Sequence, residues 1–238
     1  MPSLTVADIA ATIDHAILKP ELTRAEVDEQ LALVARYGVF SACVRPSDVA
    51  HAYEVLEGSG VAVCAVIGFP HGTTTTLTKV AEATEALDSG ASELDMVINI
   101  GRLRSGLIAD VEDDIRAVVT AAGEHVVKVI LETALLSDDE IVAGCEAAER
   151  AGAAFVKTST GFAGGGATVE HLTIMRAAVS DAVQVKASGG VRGLDTLLEM
   201  RDLGVTRFGT SATATILDDV AAQVSGTQTS GATDETSY

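Results

Sequence analysis

The chain alternates between short β-branched runs and longer alanine-rich runs with helical spacing. Eight short runs predict strands near residues 13–18, 41–44, 61–67, 93–98, 126–131, 154–158, 183–187 and 207–210. Helical patterns fall near 23–37, 47–57, 76–89, 108–123, 137–151, 168–179, 193–203 and 211–224, and a short helix near 5–12 precedes the first strand. Gly38, Gly90, Gly152 and Gly204 each stand just past a helical run and just before a strand, where a helix ends on a residue that tolerates a left-handed backbone. Thr23, Ser47, Ser137 and Thr168, with acids close behind, are read as N-caps. Strands alternating with helices of this length make right-handed βαβ units and a parallel sheet. Eight units predict a closed (β/α)8 TIM barrel. The open doubly wound sheet is the alternative, and its GxGxxG signature is missing. Residues 1–224 are read as one barrel domain. The last fourteen, SGTQTSGATDETSY, hold nine Ser, Thr or Gly and no apolar period, so 225–238 are read as a flexible polar tail ending in Tyr238.

Alternation within the strands sorts their side chains. In a barrel the outward set packs under helices and must be apolar. In ELDMVI, Leu94, Met96 and Ile98 form that set, which turns Glu93 and Asp95 inward. In VVKVIL, Val127, Val129 and Leu131 go outward and Lys128 inward. Val156 goes outward and Lys157 inward; Val183 and Val185 go outward, leaving Gln184 and Lys186 inward. Four consecutive strands thus aim Asp95, Lys128, Lys157 and Lys186 at one interior. Their spacings of 33, 29 and 29 residues, one βα unit each, place them at equivalent points. The chain has only five lysines, so three in this pattern are hard to assign to chance. The bland alternative is a set of solvated strand ends or structural ion pairs, with Asp95 and Glu132 offsetting part of the charge. Barrel active sites lie at the C-terminal mouth, which favours the functional reading.

Composition narrows the partners. Sixteen basic against thirty-four acidic side chains give a formal charge of −18, which repels nucleic acid and anionic membranes. Tryptophan is absent, with three tyrosines and five phenylalanines, so stacking on bases is a poor expectation. No apolar run approaches the roughly 20 residues of a membrane helix. The N-terminus lacks the basic and apolar regions of a secretory signal, and a cytoplasmic chain is expected. Cys43, Cys64 and Cys145 form no CxxC pair and are read as free, mostly buried thiols. Histidines 15, 51, 71, 125 and 171 show no HxH or HExxH spacing, so neither a metal nor another cofactor is expected.

Ammoniums on neighbouring strands, about 4.8 Å apart, lower one another's affinity for protons, as does burial. A neutral lysine amine attacks carbonyls, and the imine it forms is an electron sink for carbon–carbon cleavage. Lys157, between two other lysines and leading into KTSTG, is the candidate nucleophile. Lys186 is assigned to depress its proton affinity and relay protons, and Asp95 to act as general acid/base through a water. The loops after strands six, seven and eight are rich in glycine and hydroxyls, as amide cradles for phosphate are. Gly189, Gly190, Arg192, Gly209 and Ser211 are the candidate ligands; ordinary βα turns are the alternative.

At these residues the sequence resembles the 2-deoxyribose-5-phosphate aldolase family. The matching segments are IDHAILKP, ACVRPSDV, VIGFPHGTTTTLTKVAEA, ELDMVINIG, VVKVILET, FVKTSTGF, VKASGGVR and RFGTSA, in order over nearly the whole chain. The resemblance implies reversible cleavage of 2-deoxy-D-ribose 5-phosphate to D-glyceraldehyde 3-phosphate and acetaldehyde. It places the Schiff-base lysine on Lys157, the second lysine on Lys186 and the proton-transfer aspartate on Asp95, with Asp14 and Lys128 beside them. It adds Gly161 to the phosphate set, a contributing role for the terminal Tyr238, and a homodimer. Some members carry a lysine directly after KTSTG; here Phe162 and AGGG follow. The acetaldehyde donor comes from the resemblance alone. Another lysine aldolase or transaldolase, a non-catalytic sugar-phosphate binder and a metal-dependent aldolase are the rival readings.

Overall fold

The computed structural model describes residues 5–226. A short helix α1 (Val6–Ala10) leads into β1 (Ile13–Ile17), and the chain then repeats strand and helix. In order these are α2 (Arg24–Tyr37), β2 (Ser41–Val44), α3 (Val49–Val55), β3 (Ala62–Ile67), α4 (Thr76–Asp88) and β4 (Glu93–Val97). There follow α5 (Ile100–Arg104), α6 (Ile108–Ala122), β5 (Val126–Ile130), α7 (Asp138–Arg150), β6 (Phe155–Lys157) and α8 (Val169–Ala178). The chain continues through β7 (Gln184–Ser188), α9 (Leu194–Asp202), β8 (Val205–Thr210) and α10 (Thr213–Ser225). The strands close into a barrel in sequential order, with β8 pairing in parallel with β1. This is the (β/α)8 barrel that the alternation predicts. Among the described residues no helix is long and apolar enough to cross a membrane.

The outward strand residues behave as the parity argument requires. Leu94, Met96, Ile98, Val127, Val129, Leu131, Val156, Val183 and Val185 all join one buried apolar cluster with the helices. Each helix supplies a stripe to it: α2 buries Val27, Leu31 and Val34, and α6 buries Val111, Ile115 and Val118. Such side chains contribute about 1.5–3 kcal/mol each when fully buried. A polar clamp runs through the same layer. Lys79 of α4, fully buried, donates to Val97 O at 2.9 Å and to Asp114 of α6 at 2.5 Å.

The helix starts are mostly as read. Thr23 and Ser137 form reciprocal capping boxes with Glu26 and Glu140, and Thr168 accepts from His171 N–H. Ser47 is the correction. It lies inside a 3-10 turn, Pro46–Asp48, and Asp48 occupies the N-cap place of α3 with no side-chain bond. Pro46 sets that turn early, because its fixed φ suits a first helical position. The four glycines all take positive φ: Gly38 59°, Gly90 104°, Gly152 89° and Gly204 91°. Two short elements have no counterpart in the sequence reading, α5 and a 3-10 turn at Thr133–Leu135. Neither is long enough to show a period. The barrel's last helix runs through Ser225, one residue into the segment read as tail; residues 227–238, Tyr238 among them, lie outside the described residues.

Candidate active site

The inward residues form one buried ionic cluster. Asp95 sits at its centre and shares its two oxygens among three ammoniums. Lys157 Nζ lies 2.6 Å and Lys186 Nζ 2.7 Å from Asp95 Oδ2, and Lys128 Nζ lies 2.9 Å from Oδ1. Lys128 also meets Glu93 at 2.6 Å and Asp14 at 3.9 Å, and Lys186 also pairs with Asp14. Asp14, Asp95, Lys128 and Lys186 are fully buried, and Lys157 is 3% exposed.

Register corrects one expectation. Asp95 pairs with Lys128, and Lys157 with Lys186, but Lys128 pairs with Phe155 and Lys157 with Ile130. Lys157 is therefore two residues nearer the mouth than Lys128 along their shared ladder, not at an equivalent point. Strands in a closed barrel are staggered, so a 29-residue step does not keep its level. The outcome is a layered site. Lys186 pairs with Lys157 on one side and with Arg207 on the other, while Glu93 pairs with Val126, two residues before Lys128.

Arg207 is a member that the sequence reading passed over. It donates to Asp14 at 2.9 Å and to Glu93 at 3.1 Å, with its guanidinium 3.4 Å from the Phe40 ring centroid. The signal is present in the alternation of VTRFGT, since β8 starts at Val205 and not at Arg207, and a strand of 207–210 alone is too short to show that parity.

The electrostatics follow from the contacts. Burial alone would push Asp95 up, but Lys128, Lys157 and Lys186 together hold it well below the usual carboxylate range. Asp14 is likewise held down, against burial, by Lys186, Lys128 and Arg207. Burial would push Lys186 down, yet Asp14 and Asp95 drive it above its ordinary value; Lys128 is raised against burial in the same way by Asp95, Cys64, Asp14 and Glu93. The cluster is thus a charged network in which Lys186 stays a cation.

All three cysteines are free and buried. Cys64 Sγ lies 3.3 Å from Asp95 Oδ1, and the two sulfurs of Cys43 and Cys64 sit with Asp95 within 4.8 Å of one another. That spacing suits a thiophilic cation, but Asp95 is already the partner of three ammoniums, which oppose another positive charge.

Above the lysines lie the glycine-rich loops. Gly161, Gly189 and Gly190 have φ of 87°, 79° and 78°, a backbone that glycine adopts without strain. The β6–α8 loop rests on the β7–α9 loop: Ala167 N–H donates to Ser188 O and Gly189 O, and a Cβ on Gly166 would fall 2.5 Å from Gly189 O. Arg192 and Ser211 are exposed near the same loops. Gly209 has a different reason to be glycine than an amide contact. It is buried beside Ser188, whose Oγ would lie 2.2 Å from a Cβ there, with Lys186 Cε at 3.4 Å. Helices α9 and α10 start at Gly193 and Ala212 without a side-chain cap.

Comparison with known proteins agrees with this fold. The sequence profile of the DeoC/LacD family of aldolases matches residues 9–211. A deoxyribose-phosphate aldolase of Staphylococcus haemolyticus is 53% identical over 208 residues, 87% of this chain and 94% of that protein. Deoxyribose-phosphate aldolase 2 of Staphylococcus aureus is 52% identical over 213 residues, 90% of this chain and 97% of its own. Among solved structures, the tetrameric deoxyribose phosphate aldolase of Aeropyrum pernix superposes with a TM-score of 0.85 at 30% identity, over 93% of this chain and 94% of that one. With the family profile spanning the barrel from α1 to the end of β8, and its lysines converging on one aspartate, this chain belongs to the DeoC/LacD family of aldolases.

Proposed function

We propose that the chain cleaves 2-deoxy-D-ribose 5-phosphate reversibly to D-glyceraldehyde 3-phosphate and acetaldehyde, through a Schiff base on Lys157. The observation that carries the assignment is the count of acidic partners. Lys157 pairs with one carboxylate, Lys186 with two and Lys128 with three. Bringing Lys157 to the neutral amine breaks the fewest ion pairs, and along the ladders Lys157 stands level with Lys186 and two residues nearer the mouth than Lys128. Its amine adds to the aldehyde carbon of the open-chain sugar and loses water to give the iminium. Asp95, through a water, takes the proton from the C3 hydroxyl as the C2–C3 bond breaks and its electron pair moves into the iminium. The enamine left behind is protonated at carbon, and hydrolysis frees acetaldehyde and Lys157. Lys186, held cationic by Asp14 and Asp95, keeps positive charge beside the reacting amine, and Lys128 fixes the far oxygen of Asp95. The iminium is the electron sink, so the chemistry calls for no metal or other cofactor.

The phosphate is assigned to Gly161, Gly189, Gly190, Arg192, Gly209 and Ser211, with the uncapped starts of α9 and α10 offering N–H groups to an anion. Gly209 contributes chiefly by leaving room for Ser188 and Lys186. Tyr238 is proposed to assist proton exchange at the enamine carbon. A homodimer, which the resemblance supports, and a cytoplasmic location belong to the same reading.

Borohydride reduction in the presence of acetaldehyde, followed by peptide mass mapping, tests the reading. A two-carbon adduct on Lys157 is expected. An adduct confined to Lys186 or Lys128 would overturn the assignment. Transfer of dihydroxyacetone instead of acetaldehyde would favour a transaldolase.

A further inference from the structure

Glu132 follows β5 at the mouth. It is the one non-glycine residue with a positive φ among the described residues, at φ 61° and ψ 61°. A left-handed backbone costs a residue with a side chain about 1–2 kcal/mol. Such strain persists where the surroundings over-determine it, and it gathers at functional sites. What holds Glu132 is the loop after β6. Its carboxylate oxygens accept from Thr160 N–H at 3.3 and 3.2 Å, and Oε2 also accepts from the Thr160 hydroxyl. Thr160 Oγ1 accepts in turn from Phe162 N–H at 3.0 Å. The Phe162 ring meets Phe69 of the β3–α4 loop edge-on, with centroids 5.3 Å apart.

The side chain is 1% exposed, and its hydrogen bonds come from a neutral residue. Burial pushes the carboxyl above its usual range, opposed by the Thr160 bonds and by Lys157. An acid in this setting is an expensive way to fill space. It does have one effect that an apolar residue lacks. It takes the Thr160 N–H, the amide just before Gly161 in the turn that follows Lys157, and places negative charge there. A phosphate is turned away from that amide and directed outward to Gly161 and the glycines of the facing loop.

We propose that Glu132 is a positioning residue that holds the Thr160–Phe162 turn in its phosphate-binding form and sets how far from Lys157 the phosphate lies. This rests on the reaction assigned above. It acts on the grip for the phosphate and not on imine formation, so its loss separates phosphorylated from unphosphorylated substrates.

The test compares wild type, Glu132→Ala and Glu132→Gln in steady-state cleavage of 2-deoxyribose 5-phosphate and of 2-deoxyribose, with acetaldehyde trapping on Lys157 as a third readout. In Glu132→Ala, KM for the phosphorylated sugar should rise about tenfold with kcat held within about threefold, as loss of loop-ordering hydrogen bonds implies. kcat/KM for 2-deoxyribose and the trapped yield should stay near wild type. Glu132→Gln keeps an acceptor for Thr160 N–H and should recover most of the KM. Equal losses on both sugars together with lost trapping would put Glu132 in the imine chemistry, and unchanged constants in Glu132→Ala would leave it no role; either result overturns the proposal. Should Glu132→Ala fail to fold, Thr160→Val removes the hydroxyl link and is held to the same criterion. Wild-type protein that traps no acetaldehyde would sink the reaction reading, and this proposal with it.

Discussion

Four cations, Lys128, Lys157, Lys186 and Arg207, face three carboxylates, Asp14, Glu93 and Asp95, inside the barrel. Bringing one of these cations to its neutral form costs least where the fewest ion pairs break. Arg207 does not give up a proton, and Lys128 and Lys186 are the better-paired lysines. Lys157→Ala should abolish turnover and leave the barrel folded, checked by activity and circular dichroism. Lys186→Leu should move the pH profile of imine formation upward and cut activity severely; an unchanged profile would make the second lysine merely structural. Asp95→Asn should preserve acetaldehyde trapping while cleavage falls strongly. If trapping falls in step with cleavage, Asp95 orients Lys157 and takes no part in the later step. Much of this was legible in the parity of the strands, because alternation is local. The partners of each lysine were not, because they come from strands up to 172 residues apart in the chain.

Between elements, the Lys79–Asp114 pair clamps α4 to α6 and, through Val97 O, to β4. Lys79→Met leaves Asp114 buried without its cation and should cost about 3–5 kcal/mol in urea unfolding, whereas Lys79→Met with Asp114→Leu should recover most of that. A double variant no better than the single would show that the pair is not the source of the loss. The β7–β8 contact offers a second check. Gly209→Ala puts a methyl against Ser188 Oγ and should destabilise by about 1–3 kcal/mol and impair activity, since Lys186 shares that space. Adding Ser188→Gly should restore part of the stability. The helix boundaries, to within two residues, and three of the four caps could be read from the sequence because they depend on neighbours within a turn. Lys79 could not, since a lysine on a helix is ordinarily solvated, and only the packing of α6 over α4 buries it.

Over the whole molecule, His15 links β1 to α2 and α10 through Gln30 Oε1 and Thr213 Oγ1, each at 2.8 Å. Burial, opposed by the Gln30 bond, lowers it from 6.5 to about 4. Between those values the unfolded chain binds the proton and the folded one does not. Stability from this residue is therefore full above about pH 6.5 and declines as the pH falls toward 4, by about 3 kcal/mol in all. Urea unfolding of wild type and His15→Gln between pH 7 and pH 4 should show a smaller acid loss in the variant; equal slopes would exclude His15 as the source. At the other end of the chain, deleting Tyr238 should slow proton exchange into acetaldehyde with little effect on stability or imine trapping. Full-rate exchange would leave the terminal segment without a catalytic part.

The sequence by itself determined the barrel, the outward apolar set and the inward direction of Asp95, Lys128, Lys157 and Lys186. Each of these rests on a periodicity of two or of about 3.6 residues, which the chain carries locally. It also carried the glycine stops, whose positive φ is a property of the residue. Only the tertiary structure decided which lysine has the fewest acids, that Lys157 is set two residues beyond Lys128 along the ladder, that Arg207 belongs to the cluster and that Glu132 locks the turn of Thr160. Those facts depend on the stagger of strands in a closed barrel and on charges brought together from distant segments, and neither leaves a periodic trace in the chain.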